Sequence, residues 1–583
     1  MIPESKWLLA DLPEAARVQE LATEFDLNPL AIQLAIQRGF DDEKALAEFL
    51  HPRLKDLKDP FELPGMDAAV ERLLQAIDGQ EKVVIYGDYD VDGVSSTALL
   101  TRLLNAYGLS PRTFLPQRLS EGYGLSIGGI EKGIDGEEPS LLIAADCGTN
   151  SRDEADWLRD RKIDLVVLDH HEPSIEGVAD CIAIVNPKLG DQYHYLCTAG
   201  VVFKVAHALL KKRPIENGFD LRDHLDLVAL GTVADIVPLV GENRILTRKG
   251  LQQLDRTLNP GLQALKNISG LRPPCDAVDV GFKIGPRLNA AGRVNTAHDA
   301  LDLLLSTDVE KCGHLADKLD QLNRNRQTLE QNARAQAEEQ IENLPAPEKE
   351  FALVVAGDNW HPGVVGIVAS RLMRKYHLPT FIIGFDEHGM GKGSGRSVDG
   401  ISLVKALDHC RDLLEAGGGH DQAAGLGVRK ENLAEFRRQF NAYVGQQHNG
   451  DDEFLVPKIY LDIEAELKEI DLTLLDSYEL LRPFGKGNPQ PILLTRGVQP
   501  KSEPRILKQK HIKFSLMQNG SNHDAIYFNA AELELPRPPW DIAYTIDRNE
   551  YRGRVSVSMI IQAIRSANGQ AAYQPSLATR DLK

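Results

Sequence analysis

Apolar positions recur at helical spacing from about residue 15 to 80, as in Ala31-Ile32-Gln33-Leu34-Ala35-Ile36, with Pro52 and Pro60 interrupting the pattern. This predicts an N-terminal helical annex over residues 1–60. Four short apolar runs follow, Val83-Val84-Ile85-Tyr86, Leu141-Leu142-Ile143-Ala144, Leu165-Val166-Val167-Leu168 and Ile182-Ala183-Ile184-Val185, separated by helix-prone stretches. Continuous runs of this kind mark strands buried on both faces of a parallel sheet and define an α/β domain over residues 61–295. Residues 296–345 are polar and helix-prone, with Leu315, Leu319 and Leu322 on one face, until Pro345 and Pro347 end the pattern. Between Gln331 and Gln340 no apolar stripe is visible, so much of the surface of this stretch should face solvent. A second α/β lobe, residues 346–447, contains the runs Ala352-Leu353-Val354-Val355-Ala356 and Phe381-Ile382-Ile383. After the polar, turn-rich stretch 446–452, period-two alternation in Lys513-Phe514-Ser515-Leu516-Met517 and in residues 554–560 predicts a small β barrel over 455–566, with a loose tail at 567–583. The expected fold is therefore α/β, two lobes joined by a long helix, with a C-terminal OB-like barrel.

Composition narrows the function. A chain of 583 residues that is 42% hydrophobic can bury several cores. The formal charge of -19 argues against coating nucleic acid through bulk positive charge, so any such contact must be local. The six cysteines are scattered without a C-x-x-C pair, which supports neither a zinc ribbon nor a disulfide framework and fits a reducing cytoplasm. No apolar run approaches the ~20 residues that span a bilayer, and no leader-like start is visible, so neither secretion nor membrane insertion is expected.

The chemistry lies where the apolar runs end, since open α/β sheets bind ligands outside the carboxyl ends of their strands. The first run leads into Asp88-Tyr89-Asp90-Val91-Asp92-Gly93. Three alternating carboxylates repel one another unless a cation lies between them, although a solvated acidic turn has the same composition. An EF-hand is excluded, because the twelfth position counted from Asp88 is Leu99. The second run ends at Asp146, and an aspartate at a strand end, taken alone, is more often a helix N-cap. The third ends in Asp169-His170-His171, where one imidazole can ligate a metal while its neighbour faces a phosphate oxygen and Asp169 orients a ring. Asp235 is a single acid in the apolar segment 229–239, where an unpaired buried carboxylate costs several kcal/mol without a cation. Together the four clusters point to a two-metal site for hard or borderline divalent ions such as Mn²⁺ or Mg²⁺, and hence to phosphoester hydrolysis.

These four ordered motifs resemble those of the DHH phosphoesterases, and Gly417-Gly418-Gly419-His420-Asp421-Gln422-Ala423-Ala424-Gly425 resembles the signature of the accompanying DHHA1 domain. The segments 285–293 and 483–489 are most similar to those of the family's bacterial single-strand-specific DNA exonucleases. The resemblance implies 5′ to 3′ digestion of single strands to nucleoside 5′-monophosphates in repair and recombination. It implies two divalent ions, Mn²⁺ or Mg²⁺, held by Asp90, Asp92, Asp146, His170 and Asp235, with Asp146 bridging, Asp88 ligating directly or through water, and His171 on the scissile phosphate. It also implies that the DHHA1 lobe clamps the substrate. Single-strand-binding protein and a recombination helicase are the implied partners, with a cytoplasmic monomer expected.

For the substrate, Arg118, Tyr123, Arg287, Asn289, Arg293, Ser394, Arg396, Gly418, Gly419 and His420 are the candidate contacts. The arginines sit in what reads as glycine-rich loops, where backbone and guanidinium can approach a phosphate, though a surface salt bridge is the ordinary alternative. Gly417–His420 could be merely a helix-to-strand turn, but His420 precedes Asp421 where the resemblance implies contact with the substrate near the cleaved bond, which favours the functional reading; Tyr123 and Trp360 could stack bases or simply pack. Between residues 482 and 513 eight basic residues (Arg482, Lys486, Arg496, Lys501, Arg505, Lys508, Lys510, Lys513) face only Glu503, a local basic strip on the barrel that suits single-stranded DNA. A small phosphoester or short oligonucleotide is the alternative substrate, and a non-catalytic scaffold would be expected to have lost these acids.

Overall fold

The computed structural model describes residues 5–117, 122, 124–216, 218–294, 296–344, 350–447 and 455–567. The chain forms two compact units, one of Leu9–Asp320 with the residues from Tyr460 onward, the other of Met1–Leu8 with Gln321–Ile459.

In the first unit, strands β1 (Val83–Gly87), β2 (Arg112–Phe114), β3 (Leu141–Ala145), β4 (Asp164–Leu168) and β5 (Ala183–Val185) form an all-parallel sheet of order β2-β1-β3-β4-β5. All residues of β1 and β3 are buried, as the continuous apolar runs require. Gly87 pairs with Ala145, Ala145 with Leu168 and Leu168 with Val185, so the carboxyl ends lie level. The ladder continues one rung further through Asp88 N–H to Ala145 O (3.2 Å), Asp146 N–H to Leu168 O (2.9 Å) and Asp169 N–H to Val185 O (3.1 Å). Three aspartates thus stand side by side at one sheet edge. This strand order reverses direction between β1 and β3, the switch point at which doubly wound sheets open a crevice.

The barrel belongs to the same unit. Strands β11 (Ile463–Glu464), β12 (Leu493–Pro500), β13 (Arg505–Leu507), β14 (His511–Gln518), β15 (Ser521–Tyr527), β16 (Trp540–Tyr551) and β17 (Arg554–Ser566) follow the order β11-β12-β16-β17-β15-β14-β13. β12 also pairs with β14, which closes five strands into a ring of the OB type. Its core is shared with the N-terminal helices Ala15–Phe25, Pro29–Ile36 and Glu43–Leu50, whose Leu21, Ile32, Leu34 and Leu46 pack with Ile463, Tyr478, Trp540 and Tyr544. The helical annex is thus a part of the barrel's core. The buried Arg244 guanidinium joins the pieces, donating to Phe49 O (2.9 Å), Leu481 O (3.0 Å) and Leu480 O (3.1 Å).

In the second unit, β6 (Leu353–Asp358), β7 (Thr380–Phe385), β8 (Met390–Arg396), β9 (Leu414–His420) and β10 (Ala423–Arg429) form a mixed sheet of order β9-β10-β8-β7-β6. The connecting helix runs over Val309–Glu342 and passes from one unit to the other at Asp320 and Gln321. Most of its stretch 331–340 faces solvent as expected, but two alanines do not. Ala333 and Ala337, with Ile341, are buried against Leu353, Val355, Trp360 and Val365. Alanines spaced by four make a stripe too small to stand out as apolar, yet they allow close helix-to-sheet approach. Trp360 is buried there and donates to Gln336 (2.7 Å), so its role is packing and not base stacking.

Candidate metal centre

Asp88 leaves β1 fully buried, and the next turn starts the helix Val91–Ala106. Asp90 caps that helix, its Oδ1 accepting from Asp92 N–H (2.9 Å) and Gly93 N–H (3.1 Å). The cap turns Asp92 inward, and Gly93 allows the tight return, since a Cβ there would lie 2.5 Å from Asp88 O. Asp92 accepts from Thr198 N–H (2.7 Å) and Ala199 N–H (2.9 Å) at the start of the helix Thr198–Lys212. Asp146 is held at φ 68°, a left-handed backbone that costs a non-glycine residue about 1–3 kcal/mol and is maintained by its surroundings. Asp235 arrives from another direction, as the C-cap of the buried helix Leu225–Ala234.

These groups converge. His170 Nε2 lies 3.4 Å from Asp235 Oδ2, 3.6 Å from Asp146 Oδ1 and 3.9 Å from Asp92 Oδ2. Three overlapping triads, Asp146–His170–His171, Asp92–His170–Asp235 and Asp88–Asp90–Asp146, each bring ligand atoms within 4.8 Å of one another. Asp146 and His170 are shared between triads, a pattern suited to two neighbouring cations. Both Asp88 carboxylate oxygens and His170 Nε2 are buried without a hydrogen-bond partner among the described residues. An orphaned carboxylate in the interior is costly unless a cation meets it, and donors of carboxylate and imidazole type fit Mn²⁺ or Mg²⁺.

Electrostatics agree. Burial, then the charge of Asp90, pushes Asp92 up to about 6. Burial together with the charges of Asp92 and Asp90 pushes Asp235 up to about 8. Asp146 is raised by burial and by four neighbouring carboxylates. Burial, then the neighbouring His171 charge, lowers His170 to about 3, leaving a neutral imidazole able to ligate. Burial acts to lower His171 too, but its Nδ1–H bond to Asp169 Oδ1 (2.7 Å) and the surrounding carboxylates outweigh it and raise its pKa. Asp169 is held below the usual carboxylate range, because His171 and the Thr149 N–H (3.1 Å) overcome the cost of its burial.

Some participants carry no sequence signal as acids or histidines. Asn186 ends the fourth apolar run and donates to His171 O (2.9 Å) and Thr149 Oγ1 (2.9 Å), bracing the histidine loop from the neighbouring strand end. Its place at the end of a buried run was the available clue. Thr198 donates its hydroxyl to Asp146 Oδ1 (2.8 Å). Gly231 leaves room for Asp92, whose Oδ1 would lie 2.4 Å from a Cβ there.

The substrate candidates divide. Arg118 and Tyr123 lie outside the described residues. Arg287, Asn289 and Arg293 sit on a helix, Gly285–Val294, and not in the expected loop. Buried Ile284, Leu288 and Ala291 recur at helical spacing and override the flanking glycines. That helix approaches the acidic turn so closely that a Cβ on Gly292 would lie 2.7 Å from Tyr89 O. Arg287 is paired with buried Asp320 (2.8 Å). Ser394 and Arg396 lie on β8 and not in a loop, and the Arg396 guanidinium donates to Ser394 Oγ (3.0 Å). The glycines of β8 are needed for packing, since a Cβ on Gly395 would lie 2.4 Å from the Phe381 ring. Gly418, Gly419 and His420 are exposed on the edge strand β9, which replaces the simple turn that the sequence also allowed. In the basic strip, Arg482 pairs with Asp547 (2.8 Å) and Asp276 (3.1 Å), Arg496 with Glu464 (2.9 Å) and Lys513 with Asp524 (2.8 Å). Lys486 sits at a turn whose backbone accepts from Leu239 N–H (2.7 Å), just beyond Asp235.

The sequence matches the DHH family, N-terminal domain, over residues 82–232, the DHHA1 domain over 349–446 and the RecJ OB domain over 461–563. With the acidic cluster at the switch point, these place the chain in the class of DHH proteins that carry a DHHA1 domain. It is 36% identical over 559 residues to the single-stranded-DNA-specific exonuclease RecJ of Bacillus subtilis, covering 94% of this chain and 70% of that protein. To the RecJ of Haemophilus influenzae it is 35% identical, covering 92% of this chain and 96% of that one. The crystal structure of Thermus thermophilus RecJ in complex with Mn²⁺ superposes with a TM-score of 0.81 at 29% identity, covering 96% of this chain and 79% of that one, and a second structure of that protein is in complex with Mg²⁺. The chain belongs to the RecJ family.

Proposed function

We propose that this chain is a metal-dependent, single-strand-specific DNA exonuclease that digests 5′ to 3′ and releases nucleoside 5′-monophosphates, in DNA repair and recombination. The observation that carries the reading is the cluster of Asp88, Asp90, Asp92, Asp146, His170 and Asp235, complete and with orphaned donors at its centre. Relatives matched along nearly the whole chain, barrel included, favour a polymeric substrate over a small phosphoester.

In this reading Asp90, Asp92, Asp146, His170 and Asp235 would hold two divalent ions, with Asp146 available to both and Asp88 a further ligand directly or through water. Such ions activate a water and stabilise the attacking and leaving oxygens of an in-line phosphoryl displacement. The residues of the chain do the rest. Asp169, bonded to His171 Nδ1, favours the charged imidazolium, whose Nε2–H would donate to an oxygen of the scissile phosphate as charge develops there. Asn186 fixes the backbone on which His171 sits. Arg287, Asn289 and Arg293, on the helix whose Gly292 meets the acidic turn at Tyr89, are candidates for the strand's backbone, and Ser394, Arg396, Gly418, Gly419 and His420 are the candidates on the DHHA1 sheet. Arg118 and Tyr123 remain candidates by sequence. Single-strand-binding protein and a recombination helicase are the proposed partners of a cytoplasmic monomer.

Digestion of single- and double-stranded DNA labelled at either end, with Mn²⁺, Mg²⁺ or chelator, tests the proposal. Mononucleotides should leave the 5′ end of single strands only, and only with metal. Asp146→Ala should abolish release while DNA binding persists, and wild-type turnover in that variant would overturn the assignment of the cluster.

A further inference from the structure

The helix Thr198–Lys212 has a cysteine, Cys197, at its cap position, which lacks the oxygen that a serine, threonine, aspartate or asparagine cap would offer. Its first two N–H groups are instead satisfied by Asp92, one to each oxygen. The same first residue reaches a second acid. The Thr198 hydroxyl, fully buried, donates to Asp146 Oδ1 at 2.8 Å. A single residue therefore joins the acidic turn after β1 to the aspartate after β3. Asp146 also has a left-handed backbone, so its carboxylate is set by surrounding contacts and not by relaxed local geometry.

We propose that Thr198 is a positioning residue for divalent-cation binding: its hydroxyl fixes the rotation of the Asp146 carboxylate so that both oxygens are presented to the two ions. The inference rests on the metal reading of the cluster given above. A carboxylate shared between cations needs both oxygens in place before binding, and a hydrogen bond from a neighbouring side chain supplies that order, with losses of about 10–100-fold in metal affinity or activity when such a partner is removed. Helical packing alone does not require the hydroxyl, because valine has the same branched shape.

The test is a calorimetric titration of Mn²⁺ into the chelator-treated, dialysed full-length protein without DNA, paired with exonuclease rates across Mn²⁺ concentrations. Thr198→Val should weaken Mn²⁺ binding about tenfold or more and raise the Mn²⁺ concentration for half-maximal rate by a similar factor. The DNA concentration for half-maximal rate should stay unchanged. Thr198→Ser, which keeps the donor, should restore wild-type affinity. Thr198→Ala provides a second hydroxyl-free variant should the valine disturb folding, with matching circular dichroism as the control. Equal Mn²⁺ affinity in wild type and the hydroxyl-free variants would overturn the proposal, as would a serine variant as weak as the valine one. A wild-type protein that binds no Mn²⁺ would overturn the underlying metal reading, a result distinct from either.

Discussion

Replacing Asp235 by asparagine should stabilise the chelator-treated protein, increasingly so as the pH rises. Asp235 retains a quarter of its side-chain exposure, and burial with the charges of Asp92 and Asp90 lifts it from 3.8 to about 8. Between those two values the folded state keeps a proton that the unfolded chain has released, so stability falls as the pH rises through the window. At about 1.4 kcal/mol per unit, four units set a ceiling of about 6 kcal/mol. Asp92, raised to about 6 by burial and Asp90, shares protons with it, so roughly half of that ceiling, about 3 kcal/mol, should be recovered by removing one charge. Asparagine has nearly the same volume and keeps an oxygen to face His170 Nε2, 3.4 Å from Asp235 Oδ2. Urea unfolding midpoints with chelator, measured from pH 4 to pH 8, should coincide for the two proteins at the acid end and separate towards pH 8, with Asp235→Asn the more resistant. Adding Mn²⁺ should reverse the order, because the wild type gains the larger binding free energy. Parallel midpoints across this range, or a variant weaker at pH 8 with chelator, would refute the reasoning.

Two further outcomes are expected. Lys204 is fully buried, with Nζ 2.8 Å from Glu242 and 2.9 Å from Lys58 O, so Lys204→Met should strand the Glu242 charge and cost about 3–5 kcal/mol, with Lys204→Met/Glu242→Gln recovering part of it in urea unfolding. On the barrel, Lys508 and Lys510 flank the exposed turn between β13 and β14, and Lys508→Glu with Lys510→Glu should flatten the salt dependence of single-strand binding by about two phosphate contacts while short-strand cleavage is retained. Charge reversal is the better probe than removal of residues 455–583, since that deletion would uncover Leu21, Ile32, Leu34 and Leu46 of the N-terminal helices.

Much of this protein is written locally. The runs at Val83, Leu141, Leu165 and Ala183 declare buried parallel strands because continuous apolar, β-branched character suits nothing else of that length, and the acids and histidines that end them mark the reactive edge. Alternation around residues 513–517 similarly announces the barrel. The glycines of β8 misled the loop reading, because a missing side chain serves close strand packing as well as it serves a turn. What the tertiary structure alone decides is which distant surfaces meet. It brings Asp235 on a helix end to His170, sets the Thr198 hydroxyl on Asp146, spends Arg287 on Asp320, and places the N-terminal helices in the core of a barrel that begins more than 400 residues later. Periodicity and residue chemistry act over a few positions and can be read from the chain. Long-range pairings are chosen by the packing of whole faces and by the satisfaction of buried polar groups, which no short stretch of sequence contains.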